Sequence, residues 1–143
     1  MISIIIPTHN SERFLLNTIK SLQMQTDQNF EIVFVDDNSN DSTLHLIKEF
    51  KLKNKEKVQI LASPQNIGPG GARNLGIKSA KGEFILFLDS DDTLTSNAIE
   101  KLNKIIATKP IDCLFFDALS VKNKKKHTSK LFPLKMKLSS PRR

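Results

Sequence analysis

Short continuous runs of apolar residues alternate along the chain with segments in which apolar residues recur every three or four positions. The continuous runs lie at residues 2–6, 30–36, 58–62, 84–88 and 111–117. Runs of this length, rich in Ile, Val and Phe, predict buried strands, and the helical spacing between them predicts four helices. Strands that alternate with helices pair in parallel, with helices on both faces. The pattern therefore predicts an α/β protein, a three-layer α/β/α sandwich with a mainly parallel sheet.

Polar residues and glycines mark where the predicted helices begin and end. Ser11 and Asp41 are the expected N-caps of the first and second helices, because their side-chain oxygens can accept a bond from a free backbone N–H. The third helix is expected over about residues 72–80, with Gly82 in a left-handed conformation just beyond it. The fourth helix is expected to begin near residue 96.

Charge divides the chain into two parts. Residues 1–120 hold 13 Lys and Arg against 15 Asp and Glu, whereas residues 121–143 hold nine Lys and Arg and no acid, so the net charge of +7 comes from the latter. The first part therefore gives little support to nucleic-acid binding. The basic residues 121–143 stay unassigned, as either a solvated, disordered end or a weak contact with an anionic membrane surface.

Cysteine content and the start of the chain bear on its compartment. Cys113 is the only cysteine, which excludes a disulfide framework and fits a reducing compartment. Pro7 interrupts the first apolar run too early for a signal peptide, and no stretch of about 18 apolar residues suggests a membrane span. We therefore expect a cytoplasmic protein.

Carboxylates follow two of the predicted strands at their C-terminal ends. Asp36 and Asp37 end the second strand, and Asp89 and Asp91 follow the fourth, two residues apart, so an extended backbone would point both side chains the same way. Converging carboxylates suit Mg²⁺ or Mn²⁺, and ligands of open α/β sheets bind at this edge. A metal–phosphoester site is thus predicted. The alternative is turn and capping chemistry, with Asp92 as a cap of the next helix.

Two further segments are expected at the same edge of the sheet. Residues 66–74 are rich in glycine, which permits close approach of a ligand. Arg73, expected in the first turn of the third helix, would oppose the helix dipole and so requires a phosphate or nucleobase partner, unless it is simply solvated. His9, between Pro7 and Asn10, could stack against a nucleobase or be an exposed turn residue.

Four segments together resemble the N-terminal half of the family 2 inverting glycosyltransferases, which have the GT-A fold. The segments are residues 3–10, 31–43, 66–74 and 81–92, which end in Pro-Thr-His-Asn, Asp-Asn-Ser-Asn-Asp-Ser-Thr, Gly-Pro-Gly-Gly-Ala-Arg-Asn and Phe-Leu-Asp-Ser-Asp-Asp. The resemblance covers roughly residues 1–119. It implies a nucleotide-sugar donor, most often UDP-linked, a divalent metal (Mg²⁺ or Mn²⁺) and a glycan or lipid-linked acceptor.

The resemblance also implies roles for individual residues. His9 falls where the family often has an aromatic residue against the base, Asp37 on the acid that binds base or ribose, and Arg73 on the cation near the nucleotide. Asp91 falls on the metal-binding acid, with Asp89 as its partner. The implied nucleotide-binding residues are Pro7, His9, Asn10, Asp37, Arg73 and Asp89.

The chain departs from the family pattern in length. Similar enzymes are considerably longer and place the acceptor region and the catalytic base well beyond the Asp-x-Asp motif. Here Glu100, Asp112 and Asp117 are the acids that follow Asp92, and only Asp117, at the end of a predicted strand, is a candidate base. We expect residues 1–120 to form a truncated GT-A half-domain that binds a nucleotide sugar, with the catalytic residue unknown and weak or no transfer by this chain alone.

Two other function classes stay open. A non-catalytic nucleotide-binding module would keep the same pocket. A nucleotidyltransferase also uses paired acids and a metal, but it requires a Gly-rich, basic loop directly after the first strand, where residues 7–10 are Pro-Thr-His-Asn. As a glycosyltransferase, the protein would serve glycan, lipopolysaccharide or capsule synthesis, at or near the inner face of the membrane.

Overall fold

The computed structural model describes residues 1–114 and, as backbone alone, two short strands beyond them. The chain divides into two compact units, Met1–Ile105 and Ile106–Arg143. The elements in chain order are β1 (Ile2–Thr8), α1 (Glu12–Gln23), β2 (Phe30–Asp36), α2 (Thr43–Lys53), β3 (Val58–Ala62), α3 (Gly68–Ser79), β4 (Phe84–Phe87), α4 (Ala98–Thr108), β5 (Leu119–Lys122) and β6 (Lys125–Thr128).

The first unit is built on a four-stranded sheet in the order β3-β2-β1-β4. All three strand pairs are parallel, and Ile2 of β1 lies beside both Phe30 of β2 and Phe84 of β4. Each of these strands was predicted from a continuous apolar run, and β1 and β2 are buried over nearly their whole length. The expected mainly parallel sheet is therefore confirmed.

Helices cover both faces of this sheet. On one face, Ala72 of α3 packs in a buried cluster with Ile5, Val33 and Val35 of β1 and β2. On the other face, the rings of Phe34 in β2 and Phe50 in α2 meet edge to face, with centroids 6.2 Å apart. The apolar positions predicted for α1, including Leu15, Ile19 and Leu22, are likewise buried. The structure thus confirms the three-layer arrangement.

The predicted fifth strand at residues 111–117 is wrong for the part that the structure describes. Residues 111–114 are not in a strand, and 115–117 lie outside the described residues. The prediction assumed a buried apolar run, yet Asp112 and Cys113 are exposed. Without burial, an apolar run of this length carries no preference for a strand.

The second unit contains an antiparallel pair formed by β5 and β6. Leu119 lies opposite Thr128, and Lys122 opposite Lys125. Residues 121–122 and 125–128 of the basic region thus lie in these two strands. The alternating apolar positions at 131–138 lie outside the described residues.

The third helix begins four residues earlier than expected, at Gly68 rather than near residue 72. Pro69 fits in its first turn, where backbone N–H groups have no partner within the helix. Gly82 does not have the predicted left-handed conformation, since Gly68 is the only glycine with positive φ among the described residues. A Cβ on Gly82 would lie 2.7 Å from the backbone nitrogen of Ser3, so close packing explains this glycine.

The expected caps of α1 and α2 are only partly as predicted. Ser11 occupies the N-cap position of α1, but its side chain makes no capping bond. Asp41 lies one residue before the N-cap of α2 and accepts hydrogen bonds from the N–H groups of Thr43 (2.9 Å) and Glu12 (3.1 Å). Asp41 therefore joins the starts of both helices. No helix in the described part of the chain is long and apolar enough to cross a membrane.

Candidate functional site

A cleft of about 420 Å³ opens at the carboxyl edge of the sheet, where β1, β2 and β4 end. Parallel strands deliver the residues that follow them to this edge, which is where open α/β sheets bind ligands. All but one of the predicted site residues line the cleft, and the exception is Asn10. Those that line it are Pro7, His9, Asp37, Arg73, Asp89 and Asp91.

The ring of His9 is held by hydrogen bonds on both sides. Its Nδ1 lies 2.7 Å from the carbonyl oxygen of Asp37, which can only accept, so Nδ1 carries the proton. In the neutral ring, Nε2 then accepts from the amide groups of Asn10 (3.2 Å) and Asn66 (3.4 Å). His9 is exposed at the cleft, and its ring plane is fixed by the end of β2.

The two asparagines beside His9 are oriented by the backbone. The side-chain oxygen of Asn10 accepts from the N–H of Asn40 at 2.8 Å, and that of Asn66 accepts from the N–H of Gly68 at 3.1 Å. Each amide NH₂ is thereby directed at His9. Asn66 was not singled out from the sequence, although an asparagine immediately before a glycine-rich turn was a usable signal.

Asp37 ties the end of β2 to the beginning of α3. It is only 3% exposed. Its N–H donates to the carbonyl of Thr8 (2.8 Å), and its Oδ1 accepts from the N–H of Ile67 (2.7 Å). This leaves Oδ2 for a ligand in the cleft. Asp36, by contrast, accepts from the N–H of Ser39 (3.2 Å) and does not line the cleft. Asp36 therefore stabilises the turn after β2, which was the alternative to ligand binding for Asp36 and Asp37.

Arg73 forms an ion pair with Asp89 at 2.5 Å. Its guanidinium also lies 6.0 Å from the ring centre of Phe87. Because α3 begins at Gly68, Arg73 is in the second turn and not in the first, and the predicted conflict with the helix dipole does not arise there. We expected a phosphate or a nucleobase as the partner of Arg73; in the structure its partner is the carboxylate of Asp89.

Three carboxylates lie close together directly after β4. Burial raises the pKa of Asp92, and the charges of Asp91 and Asp89 raise it further. Asp92 does not cap α4, which begins at Ala98; its N–H donates instead to the carbonyl of Asp89 at 3.0 Å. Three carboxylates at close quarters repel one another, and a bound cation would offset that repulsion.

The donor groups present here fit a divalent metal that shares a diphosphate. The carboxylates are hard oxygen ligands, and Asp91 is exposed. No group of three His, Cys, Asp or Glu side chains within the described residues could hold a metal alone. Mg²⁺ typically takes one or two carboxylates and completes its coordination with phosphate oxygens and water. Asp91, with or without Asp89, would provide the protein's share.

Of the acids after Asp92, Glu100 is the one that belongs to the first unit, which holds the cleft. Glu100 accepts a hydrogen bond from the hydroxyl of Thr26 at 2.7 Å, and it does not line the cleft. Asp112 belongs to the second unit, and Asp117, the candidate base, lies outside the described residues.

Comparisons of sequence identify relatives with one shared activity. Residues 3–141 match the model of the family described as Glycosyl transferase family 2. The chain is 41% identical over 101 residues to an uncharacterized glycosyltransferase of Haemophilus influenzae, an alignment that covers 71% of this chain and 40% of the relative. It is 40% identical over 100 residues to the poly(ribitol-phosphate) beta-N-acetylglucosaminyltransferase TarS of Staphylococcus aureus, covering 68% of this chain and 17% of TarS.

Solved structures of such enzymes contain the same fold. TarS 1–349 in complex with UDP matches with a TM-score of 0.69 at 37% identity, over 74% of this chain and 32% of that one. GalNAc-T7 with UDP, GalNAc and Mn²⁺ matches with a TM-score of 0.61 at 30% identity, over 68% and 19%. The chain thus spans about two fifths or less of the length of these two sequence relatives. By sequence and fold, it belongs to glycosyl transferase family 2 and has the GT-A fold.

Proposed function

We propose that the cleft binds the nucleoside diphosphate of a sugar nucleotide, as the donor-binding part of a glycosyltransferase. The observation that carries this proposal is the convergence, at one sheet edge, of a buried carboxylate (Asp37), a cation (Arg73) and an exposed carboxylate (Asp91). A nucleoside, a diphosphate and a metal ion require these three kinds of group.

The nucleoside belongs at the side of the cleft formed by the ends of β1 and β2. Asp37 Oδ2 can accept from a ribose hydroxyl or a base N–H, because Oδ1 already accepts from Ile67. The fixed ring of His9 offers a flat surface for a base. Pro7 and Asn10 complete this side, the first as lining and the second through its contact with His9. TarS has been solved with UDP and with UDP-GlcNAc, which supports a UDP-linked donor here.

The diphosphate belongs at the opposite side, between Arg73 and the acids after β4. Asp91 and Asp89 would hold Mg²⁺ or Mn²⁺ directly or through water, and a bound divalent ion would neutralise charge on the leaving diphosphate. Arg73 now pairs with Asp89. Transfer of its guanidinium from Asp89 to a phosphate would keep Arg73 paired and free Asp89 for the ion.

The chemistry that follows is inverting transfer. An acceptor hydroxyl attacks the anomeric carbon from the side opposite the diphosphate, and a base takes the proton of that hydroxyl. The bond between the anomeric carbon and the diphosphate oxygen breaks, and the nucleoside diphosphate leaves. Glu100, the acid beyond Asp92 in the first unit, does not line the cleft. We infer that this chain alone binds the donor and transfers sugar weakly or not at all. The names of two relatives, TarS and a Bacillus spizizenii poly(ribitol-phosphate) beta-glucosyltransferase, favour a cell-envelope polymer as the acceptor of the whole enzyme.

Calorimetry with UDP, with and without Mn²⁺, tests this proposal. We expect Mn²⁺ to tighten UDP binding by the unaltered chain, and Asp91→Asn to remove most of that gain, because the amide lacks the carboxylate's charge. Glu83→Gln, the corresponding change at an exposed acid of the opposite edge of the same sheet, should leave the gain from Mn²⁺ intact. Equal Mn²⁺ dependence in Asp91→Asn and the unaltered chain would refute the metal assignment. Absence of UDP binding would refute the proposed function.

A further inference from the structure

A stripe of polar side chains lies along the buried side of α1 and its C-terminal extension. Thr18 is 0% exposed, Gln25 5% and Ser21 9%, on a helix whose other buried side chains include Leu15 and Leu22. Buried polar groups are costly unless they have hydrogen-bond partners. All three find partners in residues 89–99, the stretch that carries the site's carboxylates into α4, which we call the carboxylate segment.

The contacts of this stripe follow the carboxylate segment residue by residue. The hydroxyl of Thr18 lies 2.8 Å from the carbonyl oxygen of Ser90 and 2.8 Å from that of Asp92, and shares its proton between them. Further along, Ser21 Oγ accepts from the N–H of Leu94 at 3.2 Å. Gln25 donates to the carbonyl of Thr95 (2.8 Å) and accepts from the N–H of Ile99 (3.1 Å).

The stripe is itself fastened to α1. Ser21 donates to the carbonyl of Thr18 at 2.7 Å, and Gln25 to that of Ser21 at 2.9 Å. At the start of the helix, Ser11 Oγ lies 2.7 Å from Ser90 Oγ. The carboxylate segment is therefore attached to one rigid element at several points along its length.

Thr18 has a special place among these contacts. Its two acceptors are the carbonyl of Ser90, in the peptide group that precedes Asp91, and the carbonyl of Asp92, in the peptide group that follows Asp92. The peptide group between Asp91 and Asp92 is held by a turn bond, in which the N–H of Asp92 donates to the carbonyl of Asp89. Asp91 lies between β4 and α4, in neither a helix nor a strand. The hydroxyl of Thr18 anchors this turn on both sides of Asp91 and, together with the turn bond, fixes the direction of the Cα–Cβ bond of Asp91.

We propose that Thr18 is a positioning residue that presents Asp91 to the metal ion, and so sets how strongly the metal and the nucleotide diphosphate reinforce each other's binding. The inference rests on the proposed function, and it adds a residue on α1 that touches neither ligand. A threonine that only stabilised the fold would change the stability of the protein and leave this mutual reinforcement unchanged.

The test compares UDP affinity in the presence and absence of MnCl₂ for the full 143-residue chain and three variants. Thr18→Val keeps the shape and removes the donor, and Thr18→Ser restores the donor. Thr26→Val is the matched control, because the hydroxyl of Thr26 bonds to Glu100, which lies outside the carboxylate segment. The gain from Mn²⁺ is the factor by which the metal tightens UDP binding. We expect Thr18→Val to reduce this gain about tenfold, with UDP affinity in the absence of metal unchanged. Thr18→Ser and Thr26→Val should keep the gain.

Several results would overturn the inference. One is an unchanged gain from Mn²⁺ in Thr18→Val, and another is an equal loss with and without the metal, which would indicate a structural role alone. Should Thr18→Val not fold, Thr18→Ala replaces it, since it also removes the hydroxyl. An unchanged gain from Mn²⁺ in Thr18→Ala would equally contradict the proposal. Failure of the unaltered chain to bind UDP would refute the proposed function first, and this inference with it.

Discussion

Single residues in this chain show what burial demands of a polar group. Among the described residues, no buried side-chain nitrogen or oxygen lacks a partner. Glu31 is 6% exposed, and it accepts from the hydroxyl of Ser3 (2.6 Å), the N–H of Lys81 (2.5 Å) and the amide of Gln59 (2.9 Å). Burial acts to raise the pKa of Glu31, but these hydrogen bonds and the charge of Lys81 outweigh it and lower the pKa below its usual value.

The lowered pKa of Glu31 predicts a specific pH dependence of stability. A carboxyl whose pKa is lower in the folded state stabilises the protein above its unfolded pKa of about 4.3, and this contribution is lost as the pH falls through the folded pKa. We expect Glu31→Gln to lower the free energy of unfolding by roughly 1–3 kcal/mol at pH 7. The difference from the unaltered chain should shrink in acid, as urea unfolding at several pH values would show.

Glu83→Gln is the control for this experiment, because Glu83 is exposed on the connection into β4. It should change stability little at any pH. A cost of Glu31→Gln that stayed constant from pH 7 to pH 3 would show that the charge of Glu31 does not stabilise the fold.

At the scale of elements, the close contact of α3 with the sheet sets the position of Arg73. Gly76 lies where α3 crosses β1, and a Cβ there would be 2.5 Å from Cγ2 of Ile5 and 3.2 Å from Cγ2 of Val35. Both neighbours are fully buried β-branched residues and cannot move aside. A larger residue at this position would push α3 away from the sheet.

We therefore expect Gly76→Ala to destabilise the protein by roughly 1–3 kcal/mol, although alanine favours a helix by about 1 kcal/mol over glycine. Gly70→Ala, in the first turn of the same helix, has nothing within 4 Å of its Cβ. It should be neutral or stabilising by up to about 1 kcal/mol. Thermal unfolding of both variants measures the difference, and equal stability of the two would mean that α3 does not contact β1 as described.

The same elements show what could be predicted from sequence. Strands such as β1 and β2 could be predicted, because a strand that is buried on both faces of a parallel sheet is a continuous apolar run. The start of α3 was predicted four residues too late, because Gly68 and Pro69 are residue types that are typical of loops. The pairing of Arg73 with Asp89 depends on two elements meeting in space, and no local pattern records it.

At the scale of the whole molecule, the fold assembles a site from segments far apart in sequence. Residues near positions 9, 37, 66, 73 and 91 meet at one edge because four parallel strands end there or near it. That edge was predictable from the order of strands and acids. The hydrogen bonds between α1 and the carboxylate segment could not be predicted, because polar residues on a helix normally indicate a solvent-exposed face. Only the structure shows that Thr18 is buried.

The most direct measurement is the position of the metal in solution. In amide NMR spectra of the ¹⁵N-labelled chain with UDP and Mg²⁺, traces of paramagnetic Mn²⁺ broaden the signals of residues near the ion. We predict strong broadening at Asp89 and Asp91, UDP-induced shifts at Asp37, and unaffected signals at Lys57 and Lys81, which lie at the opposite edge of the sheet. Broadening centred anywhere else, or UDP-induced shifts that avoid Asp37, would contradict the proposed nucleotide–metal site.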